Sequence, residues 1–272
     1  MKKFLAILLA LSMVLSLAAC ASTTDSKKAT EAPTEAATEM VTEAPTEAPT
    51  EAPTEAPTEA PAQPMTHAEY IAAELDSEVY VETYVQAHQS WWDGKITVYA
   101  QSEDGAYFIY NMECSEEDAA KLVPGTKIRV NGYKTEWSGE VEIAEGATFE
   151  ILEGSYIAEP QDITGGLGAQ NLIDWQNAKI SVSGLTVVAA NDEGAAFLYN
   201  WDGSGEDGND LYFNVSLNGQ TYTFTVESYL CDNTTDVYNA VKNLKIGDTV
   251  DMEGFLYWYE GVNPHITSVT VK

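Results

Sequence analysis

Two adjacent tryptophans, Trp91 and Trp92, stand in the stretch QSWWDGK at residues 89–95. Successive residues of a strand point to opposite faces, so a core claims only one of the pair. An indole ring left in solvent is a flat apolar surface for a sugar ring or a cation, and the neighbouring Asp93 can accept hydrogen bonds from hydroxyl or ammonium groups. The pair is therefore a candidate binding site.

The other candidate aromatic residues are Trp137, Trp201 and the cluster Tyr257, Trp258 and Tyr259. All of them fall between predicted strands, as Trp91 and Trp92 do. The acidic residues Glu136 and Glu140 flank Trp137 and supply further hydrogen-bond acceptors.

A weak calcium motif occurs in NWDGSGEDGNDL, residues 200–211. Oxygen donors alternate at its start, but Leu211 occupies the position where a calcium loop needs a bidentate Glu. The alternatives are a bound Ca²⁺ in another geometry and an acidic, flexible loop without a metal. The ligands of the first alternative are Asn200, Asp202, Ser204, Asp207 and Asp210.

Catalytic motifs are not recognisable. The three histidines, His67, His88 and His265, have no HExxH spacing, and we expect them at the surface or at strand ends. Paired carboxylates, which glycoside hydrolysis uses, carry no information in a chain with 43 acidic residues. We therefore expect a protein that is not an enzyme and that needs no cofactor beyond a possible Ca²⁺.

Cys114 and Cys231 each follow a predicted strand and precede a predicted helix. They either form one disulfide, as an oxidising compartment allows, or lie separately in a core as small buried residues. The sequence leaves both alternatives open.

The elements that must position these residues are mostly strands. SEVYVETYVQA places Val79, Val81, Thr83 and Val85 on one face, and KITVYAQ and AYFIYNM follow it. The helix SEEDAAKLV and the strands PGTKIRVNGYKTEW and GEVEIAEGATFEI come next. Three strands, a helix and two strands is the order of the five-stranded Greek-key OB barrel.

A second unit repeats this order, and LVPGTKIRVNG (122–132) aligns with LKIGDTVDMEG (244–254) without a gap. We predict an all-β fold with two OB-like barrels, at residues 65–158 and 171–272, and a linker at 159–170. One detail fits poorly: DGAYFIYN (104–111) resembles EGAAFLYN (193–200), which lies one hairpin too early. Either the second barrel has an extra hairpin or its strands are assigned incorrectly.

This order places Trp91 and Trp92 in the loop between strands 1 and 2, and Trp137 in the turn between strands 4 and 5. These loops flank the OB face that binds oligosaccharides and oligonucleotides, so we expect the three tryptophans at one rim. We expect Trp201, Tyr257, Trp258 and Tyr259 to gather in the same way in the second barrel. The alternative is that the tryptophans plug the open barrel ends as a minor core.

Residues 1–20 carry two lysines, Lys2 and Lys3, directly after Met1. An apolar run follows, and the segment ends in LAAC at Cys20. This is the pattern of an export signal, and an ordinary cleaved signal with an incidental cysteine is the alternative to a lipoprotein signal. Residues 21–64 contain repeats of TEAP with Pro at about every fourth position, so we expect a disordered spacer. It either extends the folded part through a cell wall or is a tolerated linker.

The part of the chain from Met65 to Lys272 has 34 acidic and 9 basic residues, a formal net charge of −25. Phosphate backbones are bound by clustered Lys and Arg side chains. From this charge we expect that nucleic acid is not a partner.

Its lipobox-like LAAC, its TEAP stalk and its repeated helix-to-strand segment resemble those of secreted bacterial lipoproteins that carry OB-fold domains behind a Thr/Glu/Pro-rich stalk. The resemblance implies that Cys20 is lipidated, that the protein is displayed on the outer face of the cell membrane, and that it binds a ligand or partner. We expect a non-catalytic binding module, with carbohydrate as the first candidate ligand. The alternatives are a surface scaffold that binds a protein partner and a Ca²⁺-dependent adhesion module.

Overall fold

The computed structural model describes residues 63–272. The expected export signal, Cys20 and nearly all of the expected spacer lie outside these residues. No helix within residues 63–272 has the length and apolar character needed to cross a membrane.

The first half of the described chain forms a closed barrel. Its five strands are hydrogen-bonded in the order β1, β2, β3, β5, β4, and β4 pairs back to β1. A sixth strand, β6, extends the sheet beyond β4. The elements are α1 (His67–Ala72), β1 (Glu78–His88), β2 (Lys95–Gln101), β3 (Ala106–Glu113), α2 (Glu116–Ala119), β4 (Thr126–Trp137), β5 (Glu140–Ile143) and β6 (Thr148–Ser155).

Buried and outward-facing residues alternate along β1, as a strand of a barrel requires. Val79, Val81, Thr83 and Val85 are fully buried, as their spacing predicts, while the residues between them face outward. α1 begins after Thr66, whose side chain forms a capping box with Glu69. The segment GEVEIAEGATFEI, expected to be one strand, is divided into β5 and β6.

A second closed barrel follows, with its strands in the order β8, β12, β13, β11, β10, and β10 pairs back to β8. Two short strands, β7 and β9, pair with β8 and β10 outside this ring. The elements are β7 (Gln161–Asp162), β8 (Lys179–Val188), β9 (Leu198–Tyr199), β10 (Leu211–Leu217), β11 (Gln220–Val226), α3 (Asp236–Lys242), β12 (Thr249–Phe255) and β13 (His265–Val271). The prediction of two five-stranded OB-like barrels is confirmed.

The gapless repeat corresponds to equivalent positions in the two barrels. Leu122 and Leu244 each enter one of the two cores. Gly254 is required by the close approach of β13, because a Cβ at this position would lie 2.1 Å from the carbonyl oxygen of His265. Its counterpart Gly132 is similarly crowded, since a Cβ there would lie 2.6 Å from the Ile143 side chain.

Residues 159–170 are more than a connection, because Ile163 and Leu167 are buried in the second core. The poorly fitting EGAAFLYN segment contributes β9, an extra two-residue strand within a long insertion between β8 and β10.

Cys114 and Cys231 are both buried and free, and they lie in the cores of different barrels. Burial raises the pKa of each thiol to about 11.

Candidate ligand-binding groove

The outer face of β2 and β3 in the first barrel is covered by the second barrel. Tyr99 and Phe108 point away from the first core and are buried against Phe255 and Tyr257. The Tyr99 and Phe255 rings are stacked, with centroids 4.6 Å apart and planes inclined by 26°. The face that an OB barrel uses for ligands is therefore occupied, in this barrel, by the contact between barrels.

Two buried polar groups connect the barrels beside these rings. The Tyr99 hydroxyl and Nδ1 of His265 are 2.6 Å apart, and Oε2 of Glu140 accepts a hydrogen bond of 2.9 Å from the backbone N–H of Trp258. Burial lowers the pKa of His265 to about 3 and raises that of Glu140 to about 9. Both side chains are therefore neutral near pH 7.

The same face of the second barrel, on β10 and β11, is open and forms the floor of a groove of about 1050 Å³. Its outward cross-strand pairs are Tyr212 with Thr225 and Asn214 with Thr223. The Thr223 hydroxyl donates a 2.8 Å hydrogen bond to Oδ1 of Asn214, which fixes the rotamers of both side chains. The floor is thus a ladder of hydroxyl and amide groups.

Aromatic side chains form the walls of this groove. Trp201 lies in the loop 189–210 and is 76% exposed, and Tyr259 lies in the loop 256–264. Trp137 of the first barrel completes the wall, with its ring 5.1 Å from that of Tyr259 and inclined to it by 40°. The backbone N–H of Glu260 donates to the carbonyl oxygen of Ser138 at 2.7 Å and holds these two loops together.

Among residues 63–272, the Asp, Glu, Lys and Arg residues that line the groove are all acidic: they are Asp210, Glu227 and Glu260, and no lysine or arginine lines it. Burial, with repulsion from Asp210 as a smaller cause, raises the pKa of Glu227 to about 7. His265 also lines the groove. Its Nδ1 lies 2.6 Å from the fully buried Tyr99 hydroxyl, and this hydrogen bond holds the imidazole ring against the first barrel.

A smaller cleft of about 420 Å³ shares Glu227 with the groove as a lining residue. Its aromatic residues are Trp92 and Tyr110 from the first barrel and Tyr229 from the second. The backbone N–H of Ser90 donates to the Tyr229 carbonyl oxygen at 2.7 Å and joins the two sides of the cleft.

The predicted rim of Trp91, Trp92 and Trp137 does not form. The loops that carry them flank a face that the second barrel covers, so Trp92 lines the small cleft and Trp137 lines the large groove. Trp91 turns away, and its indole N–H donates to the Cys114 carbonyl oxygen at 2.8 Å. Asp93 is an exposed residue of the intervening turn, with φ of 46°.

In the second barrel the structure brings Trp201, Tyr257 and Tyr259 together in the groove, as expected, although Tyr257 is mostly buried. Trp258 is not part of the groove lining. Its indole packs on Gly139 of the first barrel, where a Cβ would lie 2.9 Å from the ring.

The five candidate calcium ligands do not converge. Asp207 pairs with Lys242, and Asp210 accepts hydrogen bonds from the backbone and hydroxyl of Ser228. Asp202 caps the N–H of Ser204 within its own turn. Among residues 63–272 no group of three or more His, Cys, Asp or Glu side chains is arranged to hold a metal ion.

Sequence reasoning missed Glu227, the floor residues Asn214 and Thr223, and the role of His265. His265 does begin a strand, as expected, but it is 7% exposed and belongs to the contact between the barrels. In the sequence, only the alternation of polar residues along β10 and β11 indicated the groove floor. This alternation is equally typical of any sheet face exposed to solvent, so it does not identify a binding site.

Comparison with known proteins gives no family: no protein-family model matches the chain, and no curated protein matches it. Solved structures do match. The tetrameric p202 HIN2 domain is 14% identical with a TM-score of 0.32 and covers 73% of this chain and 96% of its own. A murine DNA-binding protein bound to double-stranded DNA is 12% identical with a TM-score of 0.33, over 71% of this chain and 94% of its own.

A replication protein A heterotrimer bound to single-stranded DNA is 8% identical, with a TM-score of 0.30, over 72% of this chain and 49% of its own. The expectation that excluded nucleic acid because of net charge is therefore wrong as an exclusion, since DNA complexes occur among the similar structures. At these identities the likeness concerns the fold, and the ligand of this chain has to be argued from its own groove.

Proposed function

We propose that this protein is a non-catalytic, extracytoplasmic binding module that holds a carbohydrate in the groove on β10 and β11. The observation that carries the proposal is the combination of a hydroxyl and amide floor with aromatic walls on the one OB ligand face that the barrels leave open. Sugar rings present apolar faces to indole and phenol rings and hydroxyls to such a floor. The groove, at about 1050 Å³, slightly exceeds the roughly 300–1,000 Å³ typical of ligand sites, so it has room for more than one sugar unit.

The hydrogen bonds of two of the three groove carboxyls, Asp210 and Glu227, support binding without turnover. Asp210 is engaged by Ser228, and Glu227 accepts from the Gln89 side chain at 3.0 Å and from the Tyr229 backbone at 3.2 Å. These bonds fasten the loops that carry the aromatic walls. Both carboxyls thus have a structural role in the free protein.

The proposal includes a lipid anchor at Cys20, because the residues before it have the order of a lipoprotein signal. The anchor is tested in a bacterial host by labelling with an alkyne fatty acid. We expect label in the membrane fraction for the native chain and none for Cys20→Ala. If the Cys20→Ala protein is still labelled and still found in the membrane fraction, Cys20 is not the site of the lipid anchor.

Intrinsic tryptophan fluorescence tests the ligand, because Trp137 and Trp201 line the groove. The probes are N-acetylglucosamine and cellulose hexasaccharides and a single-stranded DNA oligonucleotide. Variants Trp201→Ala and Trp175→Ala form a matched pair, since Trp175 is exposed but lines neither the groove nor the cleft.

We expect a hexasaccharide to shift the emission saturably, and Trp201→Ala to weaken this binding by about tenfold while Trp175→Ala leaves it unchanged. Saturable binding of DNA alone, lost in Trp201→Ala, would make the ligand a nucleic acid and refute the carbohydrate assignment. No shift with any glycan refutes it as well.

A further inference from the structure

We propose that the Trp92 cleft is a second subsite for the glycan assigned to the main groove, so that one chain of sugars is held across both barrels. This inference rests on the proposed function. It makes the ligand a polymer or long oligosaccharide rather than a single sugar or a disaccharide.

The cleft combines exposed aromatic rings with polar groups, as the groove does, and differs from it by the presence of Lys95. Trp92 is 75% exposed and Tyr229 is 63% exposed, and they face the cleft from different barrels with Tyr110 beside them. The polar groups Thr97 and Asn111 line the cleft and are already joined, because the Asn111 backbone N–H donates to the Thr97 hydroxyl at 3.1 Å. At about 420 Å³ the cleft has less than half the volume of the groove, which suits one or two sugar units.

Glu227 connects the two sites. It contributes to the lining of both the groove and the cleft, although only 8% of its surface is exposed. Its carboxyl group accepts from Gln89 on the first barrel and from the Tyr229 backbone on the second. Because both linings share Glu227, we place the glycan chain past this residue, from the groove into the cleft.

The geometry of this junction is set before any ligand binds. The hydrogen bond from the Ser90 N–H to the Tyr229 carbonyl oxygen fixes the cleft, and the bond from the Glu260 N–H to the Ser138 carbonyl oxygen fixes the groove wall. Rigid subsites at a constant separation add their contributions when one ligand spans both, because the second contact is intramolecular. Affinity should then rise steeply once a chain is long enough to reach both sites.

The test is calorimetric titration of the full-length chain with N-acetylglucosamine disaccharide, tetrasaccharide and hexasaccharide. Native protein is compared with Trp92→Ala, Trp201→Ala and the control Trp175→Ala, after thermal melting shows that each variant is folded. We expect the hexasaccharide to bind about a hundredfold more tightly than the disaccharide. Trp92→Ala should remove about tenfold of that gain for the hexasaccharide, whereas Trp201→Ala should weaken both ligands.

Equal affinity for the disaccharide and the hexasaccharide overturns the second subsite and leaves the groove proposal standing. The same holds if Trp92→Ala binds the hexasaccharide as the native chain does. If no length binds, the carbohydrate function itself fails and this inference fails with it.

Discussion

The Glu140→Gln variant should gain stability relative to the native protein as the pH rises. Glu140 is fully buried at the contact between the barrels, and its Oε1 has no hydrogen-bond partner in the described structure. Burial is the largest cause that raises its pKa from 4.5 to about 9, and repulsion from Glu142 adds to it. The folded protein therefore keeps a proton that the unfolded chain releases across this interval.

The sign of the pH dependence follows from proton linkage. Between the two pKa values the folded state binds more protons than the unfolded state, so the free energy of unfolding decreases as pH increases. Each pH unit costs about 1.4 kcal/mol, and the whole interval amounts to about 6 kcal/mol. The amide of the Glu140→Gln variant has no proton to lose in this range, and its oxygen can still accept the Trp258 N–H.

Urea denaturation over about pH 5 to 9 measures the effect. Glu142 and Glu227, whose pKa values burial raises to about 7, also destabilise the native fold as pH rises, so the informative quantity is the difference between variant and native protein. We expect the advantage of Glu140→Gln to grow with pH by about 1.4 kcal/mol per unit. The control Glu153→Gln, an exposed residue of β6, should run parallel to the native curve. A constant difference for Glu140→Gln across the range would refute the assignment of a buried neutral carboxyl.

Three further predictions concern the adjacent tryptophans, the two buried cysteines and the buried His265. Trp91→Ala should lower the free energy of unfolding by about 1–3 kcal/mol because the variant loses the hydrogen bond to the Cys114 carbonyl oxygen. Trp92→Ala should melt at nearly the native temperature, because Trp92 is exposed. Similar losses of stability in the two variants would contradict the different placement of the two side chains. Cys114 and Cys231 should react with a maleimide only after denaturation, and mass spectrometry of the native protein showing two added labels would contradict their burial. His265→Gln should lose less stability than the native protein as the pH falls below 6.5. Burial lowers the pKa of the native imidazole from 6.5 to about 3, so in this interval the unfolded chain binds a proton that the folded protein does not. Melting temperatures that fall equally in both proteins would refute this.

Periodicity and turn chemistry were sufficient to predict the barrels. The alternating valines of β1, the capping box at Thr66 and the Asn218-Gly219 hairpin are local features, because each depends on residues that are close together in the sequence. The likeness of EGAAFLYN to a strand of the first barrel did indicate an extra strand, which is β9. The two residues of β9 are too few to show a periodic pattern of their own.

The site was only partly predictable, because it depends on how the two barrels pack. Nothing near Tyr99 or Phe108 in the sequence indicates that the second barrel covers them, since an outward aromatic residue is compatible with either a ligand face or an interface. That contact separates Trp92 from Trp137 and assigns Trp137 to the groove of the other barrel. Local patterns identified the aromatic residues, and long-range packing determined which of them meet.

The central claim is that the open face on β10 and β11 is the ligand site. A crystal structure of the protein grown with the N-acetylglucosamine hexasaccharide tests it most directly. The account predicts sugar density over Asn214 and Thr223, between Trp201 on one side and the Trp137 and Tyr259 rings on the other. Sugar bound on any other surface, with this groove filled by solvent alone, would contradict it.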